Sequence, residues 1–88
     1  MPVVKLRSPL KDLAGGASEL HVEGGSVLDV LRALERQHPK IAGWVLDEHG
    51  RIRQHVSVFV NAEMTREDVP LSSDDRVHVL PSITGGQR

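Results

Sequence analysis

The sequence predicts an α+β domain, a mixed sheet of four to five strands packed on one main helix. Short apolar segments with two-residue alternation recur at 3–7, 20–22, 56–60 and 76–80. Between them, 26–37 carries apolar residues at helical spacing. With 88 residues in all, both kinds of element must share one core. One amphipathic helix against one face of a sheet is the compact solution at this length.

Val3 to Arg7 reads as a first strand, closed by Ser8-Pro9. Residues 8–17 hold that proline and the pair Gly15-Gly16, which predicts a turn or loop. Leu20 and Val22 alternate with His21 and Glu23, a strand with one buried face, and Gly24-Gly25 stops it. Ser26 is placed to cap a helix, with Asp29 three residues on as in a loose capping box. Val27, Val30, Leu31 and Leu34 share one helical face, and Leu28 widens it. Pro39 disfavours helix at His38 and ends the element there. Residues 40–46 are expected to form a short second helix, with Trp44 in the core, and Asp47-Glu48-His49-Gly50 is a turn. Val56, Val58 and Val60 then face one way along a strand while Phe59 faces the other, and Asn61-Ala62-Glu63 turns the chain. Residues 62–71 are expected to be an irregular, solvated crossing anchored by Val69 and Leu71. The final strand runs from Arg76 to Leu80, with Val77 and Val79 inward, His78 and Leu80 outward, and Pro81 at its end. The order predicts an opening antiparallel hairpin and a helix that carries the chain back to the sheet.

Composition excludes several classes of function. Formal charge is −1, with 11 basic and 12 acidic residues, and the aromatics are Trp44 and Phe59 alone. Neither the basic excess nor the stacking platform of a nucleic-acid binder is present. The absence of cysteine removes disulfides, thiolate metal sites and a thiol nucleophile together. His21, His38, His49, His55 and His78 are scattered, without the i, i+4 pair of a helical metal site, so no metal is expected. Gly24-Gly25-Ser26 lacks the lysine and spacing of a phosphate loop and reads as a turn plus cap. Asp47-Glu48 and Asp74-Asp75 sit among turn residues, and no serine is marked as activated. No apolar run approaches the roughly 20 residues of a membrane span. The opening residues lack the regions of a signal peptide, which predicts a cytoplasmic location.

Three segments carry a family resemblance: Val56-Ser57-Val58-Phe59-Val60-Asn61, Asp75-Arg76-Val77-His78-Val79-Leu80-Pro81, and Thr84-Gly85-Gly86. In this order and length they resemble the ubiquitin-like β-grasp sulfur carriers of the MoaD/ThiS family, including its CysO-like members. The resemblance covers nearly the whole chain and divides it into a β-grasp domain, 1–82, and a flexible tail, 83–88. It implies a protein co-substrate rather than an enzyme. An E1-like adenylyltransferase of the MoeB/ThiF type would adenylate the Gly86 carboxylate, using ATP and Mg that the carrier itself does not bind. A sulfur donor protein would supply the thiocarboxylate, and an acceptor synthase would consume it in cysteine, thiamine, molybdopterin, tRNA or secondary-metabolite synthesis.

The chemistry of the tail is consistent with that use. A terminal carboxyl, with a pKa of about 3.3–3.7, is ionised and a poor electrophile at neutral pH until it is activated. Gly85 and Gly86 lack Cβ atoms and let the backbone thread a narrow channel. Gln87-Arg88 follow Gly86 and leave it as an amide, so cleavage after Gly86, by a metalloprotease as the family implies, must precede activation. Phe59, His78 and Leu80 on the outward face are the expected partner-binding residues, since the family's activating enzyme grips this side of the sheet. Two alternatives remain: a modifier conjugated to lysines through the same tail, and a β-grasp binding module without tail chemistry.

Overall fold

The computed structural model describes residues 1–81, and the expectations for 83–88, including Gly85, Gly86 and the cleavage site, lie outside them. Five strands form one mixed sheet: β1 (Val3–Leu6), β2 (Glu19–His21), β3 (Val56–Val60), β4 (Glu63–Thr65) and β5 (Arg76–Pro81). Their order across the sheet is β2-β1-β5-β3-β4. β1 and β5 pair in parallel at the centre, and the other pairs are antiparallel. This is the β-grasp architecture that the sequence predicts.

The main helix, α2 (Val27–Gln37), lies against one face of the sheet. Val27, Val30, Leu31 and Leu34 are fully buried with Val4, Val56, Val58, Val77 and Val79 from the strands, in one core. Its first turn is closed by partners near and far. The Asp29 amide donates to Ser26 Oγ at 3.3 Å, the Leu28 amide to Asp68 Oδ1 at 3.0 Å and the Val27 amide to the Val69 carbonyl at 2.9 Å. Three otherwise orphaned donors are thereby satisfied. The segment leading from β4 to β5 thus does more than cross the surface: it pins the start of the helix. Gly24 stands just before that turn, where an added Cβ would lie 2.7 Å from Val30 Cγ2 and 2.9 Å from the Val30 amide nitrogen.

Three expectations are corrected. Residues 8–17 are not wholly irregular, because Leu10–Leu13 form a one-turn helix, α1, that buries Leu10 and Ala14. The expected second helix at 40–46 shrinks to a 3-10 turn, Pro39–Ile41. The chain then reverses through Gly43, at φ 88°, so that Ile41, Val45 and Leu46 take the core positions and Trp44 is left 42% exposed. Residues 62–71 are not an irregular crossing throughout, because Glu63–Thr65 form β4 as an antiparallel partner of β3. Asn61 and Ala62 make the two-residue hairpin turn between them at φ 50° and 76°, the left-handed geometry that such turns require.

Candidate functional site

The face of the sheet opposite α2 carries the alternate residues of each strand. The strand register aligns Glu19, Lys5, His78, Phe59 and Met64 in one row across all five strands. The row changes character along its length. On β1 and β2, Lys5 Nζ lies 3.6 Å from Glu19 Oε2. On β3 and β4, Phe59 sits opposite Met64, which is 53% exposed. His78 stands at the junction, opposite both Lys5 and Phe59.

Phe59, His78 and Leu80 are thus brought together. Phe59 pairs with His78 across β3 and β5, and Leu80 lies two residues along, opposite Ser57. With Ala62 they line a shallow groove of about 310 Å³. Phe59 and Leu80 are half-buried rather than fully exposed, so the patch is a ledge with Met64 as its most open apolar member. Sequence reasoning missed Met64 and Ala62, because a three-residue strand with one apolar side chain shows no alternation. The signal was the Asn61-Ala62 turn, after which position 64 falls opposite 59.

One end of this face is held by a polar clasp. Asn61 Nδ2 donates to Asp75 Oδ1 at 2.8 Å, and the Arg76 amide donates to Asn61 Oδ1 at 3.0 Å. The Ser72 amide donates to Asp75 Oδ2 at 2.8 Å. These bonds favour the carboxylate, and the Asp75 pKa falls below its ordinary 3.8, with the Ser72 amide the largest cause and Asn61 the next. Asp47 is lowered likewise, first by the amide of Arg51, against opposition from burial, and further by the amide of His49. Both aspartates are turn fasteners. Among the described residues no group of three or more metal-ligating side chains occurs, and no helix is long and apolar enough to cross a membrane.

A five-stranded mixed sheet grasping one helix, with an apolar ledge on its open side, defines the class of small ubiquitin-like proteins. Within that class the chain belongs to the ThiS family, whose model matches residues 4–86. It is 27% identical over 84 residues to small archaeal modifier protein 1 of Haloferax volcanii, covering 93% of this chain and 97% of that one. It is 34% identical over 68 residues to small archaeal modifier protein 3 of the same organism, covering 73% of each. A chain of the Amycolatopsis orientalis BexX/CysO complex superposes with a TM-score of 0.85 at 22% identity, covering 98% of this chain and all of that one, and shares the fold. The protein therefore stands among ubiquitin-like carriers and modifiers, which are not themselves enzymes.

Proposed function

We propose that this protein is a sulfur carrier whose working group is its own main chain at Gly86. After Gln87 and Arg88 are removed, an E1-like adenylyltransferase docked on the Phe59–His78–Leu80 ledge transfers AMP from ATP to the Gly86 carboxylate, releasing pyrophosphate. A persulfide on the donor protein then attacks the acyl carbon and AMP leaves. Reductive cleavage of the resulting acyl disulfide by a second thiol of the donor yields the thiocarboxylate. Three features of the body suit a handle: one compact core, no cysteine to compete for sulfur, and an apolar surface on the sheet side away from the helix. The observation that carries the reading is the family match, which runs through Thr84-Gly85-Gly86 to residue 86.

The test is intact mass. A chain ending at Gly86 is incubated with an E1-like adenylyltransferase of the same host, ATP, Mg and a persulfide donor with its reductant. The expected product is heavier by the exchange of one oxygen for sulfur, and Gly86→Ala does not give it. An unchanged mass overturns the reading.

A second reading has its own support, because both curated relatives are named as modifier proteins. In that use a lysine amine displaces AMP and forms an isopeptide bond. Higher-mass conjugates on a denaturing blot of the native host identify it.

A further inference from the structure

A second surface shares no residue with the apolar ledge. The loop after the 3-10 turn and the approach to β3 come together where the Arg53 amide donates to the Val45 carbonyl at 2.9 Å. There Trp44, Arg53 and His55, with Ala42 and Gly43, line an open pocket of about 320 Å³. Trp44 is 42% exposed, although a tryptophan in a core this small gains most by burial. Arg53 Nε is shut off from solvent without a hydrogen-bond acceptor. Arg66 stands behind, its two terminal nitrogens donating to the Arg53 and Gln54 carbonyls at 3.2 and 2.7 Å.

The charge here is uncompensated. Among the described residues the ion pairs are Lys5–Glu19, Arg32–Asp29 and His49–Glu48, so neither Arg53 nor Arg66 has an acidic partner. A chain of net charge −1 thus places the unpaired Arg53 guanidinium in one pocket with an exposed indole, and Arg66 adds a second positive charge on the backbone of Arg53 and Gln54. Arginine and tryptophan are the side chains that most often anchor protein contacts. Among the pocket's backbone amides, those of Ala42, Trp44 and Arg53 are taken by the Pro39, Ile41 and Val45 carbonyls, so the lining offers no two successive free amides as a nest for a phosphate. A guanidinium edge beside an aromatic plane suits a flat carboxylate on an aliphatic stem.

We propose that the Trp44–Arg53–His55 pocket, backed by Arg66, binds a carboxylate-rich segment of a partner protein. Its place gives that contact a use. His55 adjoins Val56, whose strand partner is Pro81, so the pocket lies at the end of the sheet from which the chain continues toward Gly85-Gly86. A partner that engages the tail meets this pocket as well as the ledge, and acidic side chains set which partner is accepted. This use rests on the carrier or modifier reading, whereas the pocket's ligand chemistry does not.

Trp44 is the single tryptophan of the chain, so its fluorescence reports the pocket directly. The full chain is titrated with a short oligoglutamate peptide, and with inorganic phosphate in parallel. A saturable change in emission with the peptide is expected. It should weaken about five- to tenfold in Arg53→Gln, as for loss of a charge-assisted hydrogen bond, and weaken again as salt is raised. His55→Glu, at an exposed position, gives a second variant that opposes the same ligand without disturbing the core. No saturable change, an affinity in both variants equal to that of the unsubstituted chain, or a response to phosphate alone overturns the proposal. The readout does not use the tail, so this result and the mass test can fail separately.

Discussion

The two faces of the sheet are built from the same five strands and do opposite work. On the side toward α2, Val4, Val56, Val58, Val77 and Val79 have no solvent exposure. On the other side, Phe59, His78 and Leu80 are half-buried, Met64 is open and, among the described residues, no helix or strand covers them. Alternation along each strand therefore sorts residues into those that make the body stable and those left free for contact. In a domain this small the covered face supplies the stability and the open face has little left to add.

Substitutions can break this contrast or sharpen it. The largest effect is expected at Leu31, fully buried on α2, where Leu31→Ala should cost about 2–5 kcal/mol. In thermal denaturation each kcal/mol corresponds to roughly 4–8 °C at this size. Gly24→Ala comes next. Its Cβ would meet backbone and side chain of Val30 below contact distance, so a loss of about 1–3 kcal/mol is expected on chemical denaturation. Phe59→Ala, on the open face, should cost about 1 kcal/mol or less in stability yet lower activation by the adenylyltransferase about tenfold or more. A drop in melting temperature as large as that of Leu31→Ala would place Phe59 with the core instead.

The smallest effect belongs to pH. Asp47 and Asp75 have folded pKa values below the ordinary 3.8, so their contribution to stability is present above that value. It is lost as pH falls from there through the depressed folded values. Asp75→Asn should therefore flatten the acid side of the stability–pH curve and leave its dependence near neutrality unchanged, as measured by denaturation from pH 7 to pH 2.

Much of this contrast was legible in the residues themselves. The valines of β3 and β5 and the apolar stripe of α2 are long enough to show their period, and Ser26 caps the helix as its type and position suggest. Phe59 and Leu80 were placed outward by the same alternation. What escaped was short or non-local. α1 has four residues and β4 has three, too few to display a period, and β4 exists because the Asn61-Ala62 turn delivers it to β3. Trp44 was expected in the core, but the Gly43 reversal gives that space to Val45 and Leu46. The row Glu19–Lys5–His78–Phe59–Met64 depends on register, and the pocket at Arg53 on a loop folding back, neither of which a linear pattern encodes.

The parallel pairing of β1 with β5 has a consequence for synthesis. The middle of the sheet is made from the first and last strands in the chain, so its completion requires a contact spanning some seventy residues, Val3 to Arg76. Such closure is slow and cannot be finished while the later strand is still inside the ribosome. The body consequently assembles only when the segment just ahead of the diglycine has emerged. A protein cut short before residue 76 lacks the strand that joins β1 to β3, so neither half of the sheet has its central partner.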